Sequence, residues 1–265
     1  MKQPAQPSWP LTLLEHALAA TFLIAAATPA QAQVSIGAGG SVALGGGTLA
    51  QDCTALQVDG TAQVQGGQWT GIANAAIGAG GALHGGSGTL QLAGQFAGGA
   101  GFAPGTGTVR FADGCGLAGA GIGAGTSFYT LDVATAQGRT LTLPAGATQT
   151  VQHRLVLAGA AGQPLRVRSS TAGAAAFTAL QPGASQSVAF VDVADNHATA
   201  QVIAPGTAAQ YQSTQGGNVQ QWFVAANNNG GYGTPTAIPT LGHGALALLS
   251  ALLGAWALWR RRFIA

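Results

Sequence analysis

Residues 86–92 read Gly86-Ser87-Gly88-Thr89-Leu90-Gln91-Leu92, and nineteen positions later the chain repeats the phrase as Gly105-Thr106-Gly107-Thr108-Val109-Arg110-Phe111. Each copy sets Gly-x-Gly-Thr ahead of two apolar residues in alternation. That is the pattern of a turn followed by a strand with one buried face. The same step carries Val58 to Ile77, Val64 to Leu83 and Gly66-Gly67 to Gly85-Gly86. Leu44-Gly45-Gly46-Gly47 aligns with Val64-Gln65-Gly66-Gly67 at a step of twenty. Short repeats with apolar alternation between glycines describe stacked coils, in which each coil buries its inward side chains on its neighbours. The expected fold class is therefore all-β, with a right-handed parallel β-helix (β-solenoid) as the body.

From about Ser127 the strands lengthen, as SFYTLDV, RTLTL, HRLVLA, PLRVRSS, AAFTAL and QSVAFVDV. Leu165 to Val188 and Val167 to Phe190 suggest a step of 23, so the coils are expected to widen while the stack continues. Alternation places Val188 and Phe190 on one face and Asp192 beside them at a coil corner. One elongated domain over residues 33–224 follows, with Trp222 and Phe223 bulky enough to cap its last coil. The lengthened stretch also resembles the repeat passages of secreted, adhesin-like β-helix proteins, a likeness of pattern that assigns no functional residue.

Composition agrees with a stack. Only 6% of the 265 residues are charged, against roughly 25% in an average soluble chain, while 47% are hydrophobic and 43 are glycine. A chain with so little charge has few defences against edge-to-edge β association, so capped ends are expected.

Both ends lie outside that domain reading. After Lys2 comes an uncharged run, ALAATFLIAAA over residues 17–27, and then Thr28-Pro29-Ala30-Gln31-Ala32. Ala30 and Ala32 form an A-x-A site for signal peptidase, which makes residues 1–32 a secretory signal helix and Gln33 the mature start. At the other end residues 241–259, LGHGALALLSALLGAWALW, carry no full charge. At about 1.5 Å per residue they nearly span the roughly 30 Å hydrocarbon layer as a transmembrane helix. Arg260, Arg261 and Arg262 follow, and the positive-inside rule keeps that cluster cytoplasmic, so the body is expected on the periplasmic side of the inner membrane. Residues 225–237, rich in Asn, Gly and Pro, read as a flexible linker.

Without its ends the chain keeps five arginines (110, 139, 154, 166, 168) and six aspartates (52, 59, 113, 132, 192, 195), a net charge of −1. No basic patch remains, and nucleic acid is excluded as a partner.

Ile238-Pro239-Thr240-Leu241 directly precedes the apolar run and the arginine cluster. In that order the segment over residues 238–265 resembles the IPTL-CTERM sorting domains of Gram-negative bacteria, with Gly244 where the family commonly has Trp. The resemblance implies recognition by an exosortase-type membrane cysteine protease, with Ile238, Pro239, Thr240 and Leu241 as the sorting motif. Pro239 would hold the peptide extended at the membrane surface, where such an enzyme reaches it.

Candidate chemistry in the body is sparse. Cys53 and Cys115 lie in the exported part, where a disulfide is allowed, yet coils of 19 residues set them about 15 Å apart along the stack. A bridge would need a folded-back N-terminal cap or a break in the repeat, and two separate thiols remain the alternative. Asp192, Asp195 and His197 form the densest polar cluster, readable as a hydrogen-bonded turn, an acid/base pair or a metal site. Asp52, Asp59 and Asp113 sit in turn-like settings, and His84 and His153 are isolated. No catalytic, phosphate-binding or metal motif occurs, so neither a cofactor nor a metal is expected. The expected function is a non-enzymatic surface protein acting in structure or adhesion toward a host or abiotic surface. A β-helix that binds or cleaves extracellular polysaccharide is the alternative.

Overall fold

The computed structural model describes residues 33–224, which form a parallel β-solenoid of about nine turns. The signal segment with Ala30 and Ala32, the linker over 225–237, the sorting motif and the apolar run over 241–259 lie outside the described residues. Among the described residues no helix is long and apolar enough to cross a membrane.

Each coil has three faces, and every ladder between successive coils is parallel. The first face stacks Gln33–Ile36, the 54–58 part of Thr48–Val58, the 72–77 part of Gln68–Ile77, Gln95–Ala97, Gly119–Ile122, Thr140–Leu143, Leu165–Ser169, Val191–Val193 and Thr214–Gln215. The second begins as a separate sheet of Ser41–Ala43, Thr61–Gln63, Ala82–His84 and Phe102–Ala103. It continues through the start of Ser127–Ala134, Thr148–Ala158, Ala176–Leu180, Asn196–Ala200 and Val219–Gln220. The third face joins 48–50 and 68–70 to Thr89–Leu92, Thr108–Phe111, the ends of Ser127–Ala134 and Thr148–Ala158, and Ser185–Ala189.

The opening repeat is a true coil step. Thr89, Leu90, Gln91 and Leu92 pair in order with Thr108, Val109, Arg110 and Phe111. Inward positions of the third face line up as Leu49, Trp69, Leu90, Val109, Leu131 and Leu155, and all but Leu49 are buried. Burying such a side chain contributes about 1.5–3 kcal/mol, and the stack multiplies it coil by coil. Gly86 and Gly105 explain the invariant spelling of the repeat. Both hold a left-handed φ, +60° and +58°, and a Cβ on either would strike the backbone of the coil before it.

Some expected steps are corrected. Leu83 pairs with Ala62, while Val64 sits in the following turn. Leu165 pairs with Val191 and Val167 with Val193, whereas Val188 stacks on Leu157. The cause is the corner: Ser185–Ala189 meets Val191–Val193 across one left-handed residue, Phe190, while the corners of the three preceding coils, 112–118, 135–139 and 159–164, hold several residues. Asp192 thus lies mid-strand on the first face, and Asp195 occupies a corner.

The upper coils carry a polar seam inside the core. Thr126 donates its amide to Gln149 Oε1, and Asn196 Oδ1 accepts from Thr178 Oγ1 (3.2 Å) and from the Trp222 indole (3.0 Å). Trp222 is 1% exposed and Phe223 is buried beside it.

Candidate functional site

Chemistry-bearing residues gather at the corner between the third face and the first. In the first coil that corner is an excursion, residues 51–53, with Asp52 and Cys53 both at left-handed φ. In the second coil it is Gly71, over which the Asp52 amide passes, with 3.0 Å between that nitrogen and where a Cβ would stand. In the third it is Ala93-Gly94, and Leu117 rests against Gly94. The fourth coil ends in a loop, residues 112–118, that carries Cys115.

Cys53 and Cys115 are joined in a disulfide, with their Cα atoms 5.2 Å apart. A distance of 15 Å assumed regular coils throughout. Here the repeat breaks twice, and the excursion at 51–53 and the loop at 112–118 approach each other across a corner narrowed to glycine. Neither half-cystine is buried.

Behind the bridge, Arg139 is 2% exposed. Its guanidinium donates to Ala112 O at 2.6 Å, Gly119 O at 3.2 Å and, in a shorter contact, Ala93 O. Ala93 lies at the third coil's corner while Ala112 and Gly119 stand at the two ends of the next coil's loop, so the side chain runs along the corner and supplies these carbonyls with donors. Burial lowers its pKa, against the opposing charge of Asp113. Partial burial on its own would raise the Asp113 pKa, but the Thr135 hydroxyl, the Ala136 and Gln137 amides and Arg139 outweigh it and hold the carboxyl below its usual range. A cleft of about 440 Å³ opens here, lined among others by Asp113, Leu117, Gln137 and Arg139. Asp113 already accepts from the 135–137 turn and Arg139 already serves three carbonyls. The corner therefore acts as a fastening between coils.

The predicted polar cluster is divided. Asp192 pairs with Arg168, Nη2 to Oδ2 at 2.5 Å, while Arg168 Nη1 also reaches Asp192 O at 2.6 Å. Asp195 accepts from the Gly173 amide and from Asn218 Nδ2, each at 3.1 Å, and these bonds lower its pKa. Asn218 Oδ1 meets His197 Nε2 at 2.9 Å. Asp195 and Asn218 are both left-handed corner residues one coil apart, φ 53° and 54°, so the network is a stacked turn. On the third face Asp132 lies 3.5 Å from Arg110 Nε. Burial raises the Asp132 pKa, against the pull of Arg110 and Arg154. His153 stacks on Tyr129 at 4.6 Å, and His84 ends a strand of the second face. Among the described residues no group of three or more His, Cys, Asp or Glu is placed to hold a metal ion.

Beyond the rod, the chain's distinctive segment is its tail. Residues 236–263 match the IPTL-CTERM motif. The match encloses Ile238 to Leu241, the apolar run and all three arginines, and so places a C-terminal sorting signal after the solenoid. An IPTL-CTERM tail implies export and association with the surface or a membrane. No curated protein and no solved structure matches the chain.

The sequence reading missed Arg139 and Arg168. For Arg139 a signal existed: it shares strand parity with Leu141 and Leu143, both buried, so alternation already pointed it inward.

Proposed function

We propose that this chain is a non-enzymatic rod of the bacterial envelope, exported, retained at the inner membrane by its tail, and displayed in a structural or adhesive role. The observation that carries the reading is the pairing of an IPTL-CTERM motif at residues 236–263 with a body that is one continuous β-solenoid. The internal pairing of the body's ionic groups supports it: Arg110 with Asp132, Arg168 with Asp192, and Arg139 beside Asp113. In this reading signal peptidase cuts after Ala32, the helix over 241–259 holds the body on the periplasmic side, and an exosortase-type protease acts at Ile238 to Leu241. The body then meets a host or abiotic surface or the extracellular polysaccharide.

Intact-mass measurement of the envelope-associated protein tests the reading. A form beginning at Gln33 and ending near Leu241 is expected, and one that retains Arg260 to Arg262 would refute processing. Asp192→Asn with Asp195→Asn tests the non-enzymatic part, because neither wild type nor variant should turn over exopolysaccharide. Wild-type turnover abolished in the variant would establish a carbohydrate-cleaving β-helix instead.

A further inference from the structure

The two ends of the rod are built differently. At the C-terminal end the edge strands Thr214–Gln215 and Val219–Gln220 have two residues each, and Gln212, Asn218, Gln221 and Phe223 take left-handed conformations that interrupt pairing. Trp222 and Phe223 fill the core beneath them. Short, interrupted strands are how edges are kept from associating.

The N-terminal end is blunted less: its edge segments run three or four residues, and no residue other than glycine takes a left-handed φ over residues 33–51. Gln33–Ile36, Ser41–Ala43 and the 48–50 segment each pair with the second coil and, among the described residues, with nothing on their outer side. Residues 33–51 include no Asp, Glu, Lys, Arg or Pro. Ile36 is buried at 5%, but the other three inward side chains are more open than the partners they stack on. Val34 is 36% exposed where its register partner Leu56 is 1%, and Val42 and Leu49 are partly open where Ala62 and Trp69 are fully buried.

We infer that this end is a self-association surface, on which two copies of the chain meet head to head through a two-fold axis perpendicular to the rods. Such an axis reverses the sense of winding, so the facing edges run antiparallel. One face's strand meets its own symmetry mate, and the other two faces exchange partners. An uncharged edge meets its copy without like-charge repulsion, and the open Val34, Val42 and Leu49 positions become the middle of a joined core. The blunted far end, which also leads into the sorting tail, does not accept this edge. Association therefore closes at a dimer and does not grow into a filament. The inference takes from the proposed export only the removal of residues 1–32, which leaves Gln33 as the first residue of the edge.

The full exported chain, purified in detergent, is to be checked by mass for its N-terminus and then examined by sedimentation. A concentration-dependent dimer is expected, and amide exchange at 33–36, 41–43 and 48–50 should slow as concentration rises. Val34→Lys with Ser41→Lys, melting as the wild type does, should raise the dissociation constant at least tenfold by setting like charges opposite one another. A chain monomeric at every concentration would overturn the inference, as would filaments. So would a dimer that the lysines leave intact. Edge amides already protected in a monomer that begins at Met1 would identify the chain's own leader as the occupant and overturn it equally, and the mass separates that result from a failure of tail processing.

Discussion

Replacing both half-cystines, Cys53→Ser with Cys115→Ser, should destabilise one end of the rod and leave the other untouched. The bridge closes a loop across a sequence separation of 62 residues. The chain-entropy relation assigns such a closure about 4 kcal/mol at 25 °C, acting on the unfolded ensemble. Both half-cystines reach solvent, so serine should be accepted without leaving a buried hydroxyl unpaired. In a stack where each coil contacts only its neighbours, the loss is confined to the coils between the cross-linked residues. Hydrogen exchange reads this directly: 4 kcal/mol is about a thousandfold in opening equilibrium. Amides of Thr61–Gln63 and Ala82–His84, inside the loop, should exchange up to that much faster in the variant, while those of Ala176–Leu180 should not change. Wild type treated with reductant should behave as the variant does. Equal acceleration along the whole rod would refute the coil-by-coil account, and no acceleration inside the loop would refute the role given to the bridge.

Arg139→Ala should cost about 3 kcal/mol or more, because three carbonyls lose their donor, and Arg139→Lys should recover only part of this; denaturant midpoints measure both. Trp222→Ala should cost about 3–5 kcal/mol and deprive Asn196 Oδ1 of the indole donor, read as a lower melting temperature and lost near-ultraviolet dichroism. Asp113 has a folded-state pKa below its unfolded value, so its contribution is complete at neutral pH and disappears as pH falls from about 4 through the folded value. Asp113→Asn should therefore lower the melting temperature at pH 7 and make little difference near pH 2, and an equal deficit at both pH values would refute the assignment.

How far the sequence could be read depended on the corners. The step from Thr89 to Thr108 was visible because the turns that lead into the two strands, 85–88 and 104–107, match in length, so register and spelling coincide. The step from Leu165 was not: its partner Val191 lies beyond a corner of a single residue, Phe190, and alternation carries no information about corner length. The bridge was beyond spacing arguments for a related reason, since its reach comes from two departures from the repeat and not from the repeat itself. Asp192 was placed at a corner that belongs to Asp195, three residues on, because one long apolar run conceals two strands. The sorting motif was legible at Ile238 to Leu241, and the family match spans residues 236–263, because such a signal is recognised as a linear string.

The first glycine-rich coils, with register steps of 20, 21 and 19 residues, invite misalignment, since a strand displaced by a whole coil still finds Gly, Thr and an apolar neighbour. Arg139 cannot be displaced in that way. Only one threading sets the carbonyls of Ala93, Ala112 and Gly119 around it together. A chain that slipped by one coil would bury a guanidinium with nothing to meet it, at a cost that no apolar ladder offsets. The most buried charge in the rod thus works as an index mark, numbering coils that are otherwise interchangeable.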